Sequence, residues 1–303
     1  MNLLGRSGVR VSALALGAGN FGFGWHGSKT VDVKTASRML DAALESGLNL
    51  IDTANIYGWG ASESVLGRIL AKRRSKVLLA TKVGGCMHPT DPSSGGLSAR
   101  HIAQSLDASL KRLGTDYVDL YMAHGPDTGT PIEETVAAFG KAVLAGKARV
   151  IGCSNFSACQ LKTALTLAGT GWPRFEFNQV PYSLVDRAIE NQLVAVCLEE
   201  QVGILAWSPL ARGLLAAPCP PRMDAGITAL RKVLDKISRT TGKTVSQTAL
   251  GWVISKPFIT SAIFGASMQT QVRENLRTEV VAARHVAILD RASELCVSRR
   301  QTL

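Results

Sequence analysis

The stretch that decides the fold runs from Leu48 to Lys82: LNLIDTANIYGWGASESVLGRILAKRRSKVLLATK. It opens with a short apolar run, residues 48–53, that reads as a buried strand, and continues into an amphipathic stretch at residues 62–71. A second β-rich run, residues 77–82, completes it. Strand, helix and strand in succession are the unit of a parallel α/β fold. The first strand ends on a carboxylate, Asp52, with Tyr57 five residues later. A carboxylate after a buried strand must meet a cation or donors, because an unpaired buried charge is costly.

The same alternation extends in both directions. Further strands are expected at residues 14–17, 117–123, 149–154, 175–180, 204–208 and 261–264, and further helices at 35–46, 98–113, 135–145, 158–167 and 191–201. Eight strands in βα alternation point to a closed parallel barrel of the (β/α)8 TIM type, forming one domain over residues 1–303. Ahead of the repeat, residues 3–11 carry a glycine-centred turn between short extended pieces, a hairpin expected to plug the barrel floor. A doubly wound sheet would show the same alternation, but with a glycine-rich turn opening directly into a helix. The nearest match, GAGNFG at residues 17–22, runs on into more loop instead. Residues 84–96 and 216–226 read as long loops on or near the active face.

With 46% apolar and 19% charged residues, the chain can bury a large core, and no stretch has a disordered composition. No apolar run approaches the roughly 18 residues of a membrane span, and the N-terminus lacks the features of a signal peptide. A cytoplasmic protein without membrane contact is expected. Cys86, Cys153, Cys159, Cys197, Cys219 and Cys296 show no paired spacing, so neither a disulfide framework nor a metal site is expected. The formal charge of +11 is scattered, without the patch and aromatic platforms of a nucleic-acid surface. It reads as solvated charge that also attracts a small polyanionic cofactor.

In a barrel of this kind the chemistry sits at the C-terminal strand ends. Those ends carry Asn20, Asp52 with Tyr57, Lys82, His124, Ser154 with Asn155, Gln179, and Trp207 with Ser208. Taken singly, each has an ordinary explanation as a cap, a strand end or a packed loop residue. Taken together, and with GCSNF at 152–156, NQVPYSL at 178–184, WSPLARG at 207–213 and GAS at 265–267 leading to Glu274-Asn275, the chain resembles the aldo-keto reductases over nearly its full length. It is most similar to a bacterial branch that includes the potassium-channel β subunits.

The resemblance implies a catalytic tetrad of Asp52, Tyr57, Lys82 and His124. Bringing a tyrosine from about 10 to near neutral requires about 4 kcal/mol. A cation at about 4 Å in an effective dielectric of about 20 supplies about that much. Lys82 would be that cation, Asp52 its anchor, Tyr57 the general acid or base, and His124 a second donor to the carbonyl oxygen. The resemblance also implies NADPH as cofactor, with NADH as the alternative. Ser154, Asn155 and Gln179 would take the carboxamide and Trp207 would lie beneath the ring. Ser208, Pro209, Leu210, Arg212 and Gly213 would line the pyrophosphate. Gly265, Ala266, Ser267, Gln271, Glu274 and Asn275 would hold the adenosine end, near a helix N-terminus. The substrate would be a small carbonyl compound or alcohol, met by Trp25, Trp59 and His88. The competing function is a nucleotide-binding, redox-sensing subunit with little turnover.

Two departures from the family pattern stand out. Ser267 and Met268 occupy positions where many relatives carry a basic residue, leaving Arg273 or Arg277 to meet a 2′-phosphate. Residues 216–226 are short and proline-rich where relatives are longer, which predicts a more open cleft and faster cofactor exchange.

Overall fold

A computed structural model describes residues 1–24, 29–88, 90–91, 94–168, 171–216 and 224–298. After an antiparallel hairpin of β1 (Asn2–Leu3) and β2 (Arg10–Val11) come eight strands: β3 (Leu14–Gly17), β4 (Leu50–Asp52), β5 (Leu78–Val83), β6 (Val118–Ala123), β7 (Ala148–Ser154), β8 (Phe175–Pro181), β9 (Gly203–Trp207) and β10 (Ile259–Gly265). Each pairs in parallel with its sequence neighbours, and β10 pairs with β3 to close the ring. The chain is a (β/α)8 barrel with an N-terminal hairpin.

Around the barrel lie α1 (Val33–Glu45), α2 (Ala61–Leu70), α3 (Ala99–Leu113), α4 (Ile132–Leu144), α5 (Ala158–Ala168) and α6 (Leu193–Glu199). The last is shorter than the sequence pattern suggests, because Gln192 leaves helical geometry (φ −142°, ψ −42°) and separates α6 from a 3-10 turn at Ala188–Asn191. The C-terminal region adds α7 (Ala225–Thr241), α8 (Val245–Ile254), α9 (Gln269–Asn275) and α10 (Ala283–Ser298), outside the expected helices. Their starts follow known chemistry: Asp224 caps α7, and Thr244 with Gln247 forms a reciprocal capping box on α8.

The core has two layers. Between sheet and helices lies the larger one, which includes Leu16, Ile51, Leu79 and Tyr121. Inside the barrel lies a smaller cluster of Ala15, Leu50, Ala80, Leu120, Met122, Val150, Phe177, Leu205 and Ile263, joined by Leu4 and Val11 of the hairpin region. The hairpin therefore closes the N-terminal end of the barrel with apolar side chains, as the sequence leads one to expect. Gly152 makes room inside: a Cβ there would stand 2.6 Å from both the Phe177 ring and the Phe177 carbonyl. Only glycine lets β7 pass Phe177 this closely.

Candidate active site

Strand side chains alternate with period two, so a residue two positions beyond an inward-facing core residue faces inward one layer higher. Leu50 leads in this way to Asp52, Ala80 to Lys82, Met122 to His124, Phe177 to Gln179 and Leu205 to Trp207. The apolar plug thus ends and a polar layer begins at one height around the barrel, at the C-terminal end where such folds carry chemistry.

Above this layer lies a cavity of about 660 Å³. Its lining includes Asp52, Tyr57 and His124, with Ser154, Asn155, Gln179, Trp207, Ser208, Pro209, Leu210, Arg212 and Gly213. Gly265, Ala266, Ser267, Gln271, Glu274 and Asn275 also line it. Lys82 lies fully buried beneath them. The structure therefore brings together every sequence-selected residue of the tetrad and of the expected cofactor groove.

Lys82 Nζ donates to Asp52 Oδ2 at 2.6 Å, to the Thr53 carbonyl at 2.8 Å and to Tyr57 Oη at 3.4 Å. The need posed by Asp52 in the sequence is met by the lysine of the neighbouring strand. Asp52 Oδ1 takes a further bond from Gln179 Nε2 at 2.8 Å. Tyr57 reaches the site from the loop between β4 and α2, where Gly60, the residue ahead of α2, adopts φ 93°. A Cβ on Gly60 would strike the Arg112 side chain at 2.6 Å. The loop is tied down by Thr53 Oγ1 against Ser62 Oγ, by Ser62 Oγ donating to the Ala18 carbonyl, and by buried Glu63, which accepts from Thr81 and Arg112. Tyr57 and His124 meet edge to face, with ring centroids 5.6 Å apart.

Burial pushes the Tyr57 phenol above its ordinary value, and the opposing attraction of Lys82 does not overcome it. The lowering expected from Lys82 alone is thus outweighed by desolvation. Burial also works against the Lys82 ammonium, but Asp52 and Tyr57 outweigh it and leave its pKa raised. His124 is lowered to about 3, first by burial and then by the Lys82 charge. At neutral pH the site therefore holds a protonated phenol, an ammonium and a neutral imidazole.

The polar groups on the nearby wall are already organised. Ser154 Oγ donates to the Gln179 carbonyl at 2.7 Å, Asn155 Nδ2 donates to the His124 carbonyl at 2.8 Å, and Trp207 Nε1 donates to Asn155 Oδ1 at 3.0 Å. Asn155, Ser208 and Arg212 adopt left-handed backbone (φ 61°, 52° and 54°), a geometry that non-glycine residues hold at some cost and that clusters at functional sites.

Other selected residues lie elsewhere. Trp25 falls outside the described residues. Trp59 and His88 are exposed and neither lines the cavity; Trp59 packs edge to face on Phe23 at 5.2 Å. Arg273 turns away to pair with Glu45 of α1 at 2.9 Å, and Arg277 is not on the cavity wall. The helix after Gly265 is the seven-residue α9. Gly17, Gly19, Ser246 and Ala216 line the cavity without having been selected. The glycines at the end of the first strand and the Thr244-x-x-Gln247 signature beside Ser246 were the available signals.

The aldo/keto reductase family model matches residues 13–294. The chain is 37% identical over 299 residues to the uncharacterized oxidoreductase YrpG of Bacillus subtilis, covering 90% of this chain and 89% of that protein. A probable voltage-gated potassium channel subunit beta of Arabidopsis thaliana is 33% identical over 98% of this chain and 96% of its own length. The L-glyceraldehyde 3-phosphate reductase of Escherichia coli K12 is 32% identical over 90% and 85%. A closed parallel barrel, a polar layer at its C-terminal mouth and a match over nearly all of the sequence lead to one assignment: the chain belongs to the aldo/keto reductase family and is an oxidoreductase.

Proposed function

We propose that the protein reduces an aldehyde or ketone to an alcohol with NADPH, or runs the same reaction in reverse, with Tyr57 as general acid or base. One observation carries the reading: buried Asp52 and Lys82 lead to half-buried Tyr57, which faces, beside neutral His124, a cavity of about 660 Å³. The donor set suits such a ligand. Amide and hydroxyl groups, the Trp207 surface, Arg212 with Gly213, and polar Ser267, Gln271, Glu274 and Asn275 share the cavity wall. When bound, a reduced nicotinamide supplies hydride to the carbonyl carbon.

The chain's own residues do the rest. Tyr57, protonated at neutral pH, donates its phenolic proton to the carbonyl oxygen. Lys82 stabilises the tyrosinate left behind, and Asp52 holds Lys82 in place. Neutral His124 offers a ring N–H to the same oxygen and polarises it without adding positive charge. In the reverse direction Tyr57 takes the proton back. NADPH is preferred on family grounds; among the described residues no helix is long and apolar enough to cross a membrane.

The likeness to channel β subunits supports a second reading, a nucleotide-binding redox sensor with little turnover. One experiment separates the two: NADPH consumption with aromatic, aliphatic, sugar and dicarbonyl aldehydes, with Tyr57→Phe run beside the parent protein. Turnover that disappears in Tyr57→Phe while NADPH still binds supports the reductase. Retained turnover would overturn the acid assignment, and NADPH binding without turnover on any carbonyl or alcohol would favour the sensor.

A further inference from the structure

A contact on the cavity floor goes beyond the roles given above. Gln179, on β8 and only 2% exposed, donates through Nε2 to Asp52 Oδ1 at 2.8 Å, while Asp52 Oδ2 receives Lys82 Nζ at 2.6 Å. An ionised carboxylate can only accept, so the amide must turn its NH2 group toward Asp52. The two carboxylate oxygens are thereby held by different partners from different strands. An ammonium has three donors. Those of Lys82 go to Asp52 Oδ2, to the Thr53 carbonyl and to Tyr57 Oη, and the last contact is the longest at 3.4 Å.

Without Gln179, Oδ1 would be a buried acceptor with no donor, which is costly. The nearest remaining donor is Lys82 itself. A carboxylate turning to share both oxygens with the ammonium would draw Nζ toward itself, and the weakest of the three lysine contacts, that to Tyr57, would be lost first. We infer that Gln179 is a positioning residue for proton transfer: by occupying Asp52 Oδ1 it restricts Asp52 to one oxygen toward Lys82 and so keeps an ammonium hydrogen directed at Tyr57. This role acts through Asp52 and Lys82 and is separate from any contact of Gln179 with a carboxamide, for which its Oε1 remains. It rests on the reading of Tyr57 as the proton donor.

The test uses Gln179→Leu, which keeps bulk and removes the donor, Asp52→Asn, and the double variant. Three quantities are read: the unfolding midpoint of the ligand-free protein, kcat against pH in the reducing direction, and the NADPH dissociation constant from tryptophan fluorescence. Gln179→Leu should lower kcat about tenfold, the scale of one lost hydrogen bond to a charged group. It should also move the alkaline limb of kcat upward by about one pH unit, because tyrosinate loses its cation. The double variant should be no worse than Asp52→Asn alone in kcat and in midpoint, the non-additivity expected of residues acting along one path. Additive midpoints, or a weaker NADPH affinity with kcat and its alkaline limb unmoved, would show that Gln179 serves only the cofactor. If Asp52→Asn does not fold, the limb in Gln179→Leu decides alone. Non-additive midpoints in a protein that turns over no carbonyl would remove the reductase reading, and the proton-transfer role with it, while leaving the tie between Gln179 and Asp52 in place.

Discussion

His124 shows how one side chain is made to serve the site at a cost in acid stability. Its imidazole is lowered to about 3 by burial and by the Lys82 ammonium, whereas an unfolded histidine titrates near 6.5. Between those values the unfolded chain binds a proton that the folded chain refuses, so stability falls as pH drops through that window. The slope approaches about 1.4 kcal/mol per pH unit from this residue alone. His124→Gln should flatten the dependence of the urea midpoint on pH between about 3 and 6.5, the same window; an unchanged slope would mean that His124 is already charged in the folded protein. At this scale the sequence was informative where a residue's requirement could be stated alone. A carboxylate ending a buried strand required a cation, and Lys82 is there. The direction of the Tyr57 shift was not legible, because it depends on how much water the neighbouring elements exclude, and that follows from the whole packing. Nor was the bond from Gln179 to Asp52, which joins residues 127 apart in sequence.

At the scale of elements, β7 and β8 illustrate how packing below the site fixes geometry within it. They run side by side with Ser154 opposite Gln179, and their register shifts between Ile151 and Cys153, next to Gly152. A methyl group on Gly152 would meet the Phe177 ring and its carbonyl, each at 2.6 Å, and the backbone atom cannot turn aside. Gly152→Ala should therefore force the two strands apart at a cost of about 1–3 kcal/mol, the usual range for overpacking. Because Ser154 and Gln179 stand two residues beyond the clash, the same change should weaken dinucleotide binding as well as lower the melting temperature. Thermal unfolding with NADPH titration would check both; an unaltered melting temperature would show that the strands have room to spare. The strands themselves were legible, since short β-rich runs between turn signals admit few other readings. Helix α7 carries an ordinary amphipathic pattern, with Ile227, Leu230, Leu234 and Ile237 buried behind the Asp224 cap, and was open to sequence reading, whereas α8 and α9 were harder to see for physical reasons. Helix α8 is buried on nearly every side, including Leu250, Trp252 and Val253, so it lacks the polar stripe that marks an amphipathic helix. Helix α9, at seven residues, is too short for periodicity to register.

At the scale of the whole molecule, the fold was legible because eight βα repeats, with a glycine-rich stretch at 17–22 that does not open directly into a helix, favour closure over a doubly wound sheet, whereas the field around the cleft is a property of all the charges together. Asp52 is paired with Lys82, and among the described residues the other formally charged lining side chains are Arg212 and Glu274, which are of opposite sign. The described part of the cleft wall is thus close to neutral, while the chain as a whole carries a formal charge of +11. Any electrostatic attraction of a dinucleotide must come mainly from the distributed surface charge, which acts over distances comparable to the screening length and is damped by salt. The association rate of NADPH should therefore fall several-fold between about 20 mM and about 300 mM salt, as the screening length shrinks from roughly 20 Å to roughly 6 Å. Its dissociation rate, governed by short contacts within the cleft, should change much less. NADH lacks the 2′-phosphate and its roughly −1.5 to −2 charge, so its association rate should fall less steeply under the same change. Stopped-flow quenching of tryptophan fluorescence with both cofactors would measure the two slopes. Equal slopes would show that the 2′-phosphate is not felt on approach, and a flat response for both would place the controlling charges within the cleft, with Arg212 as the first residue to substitute.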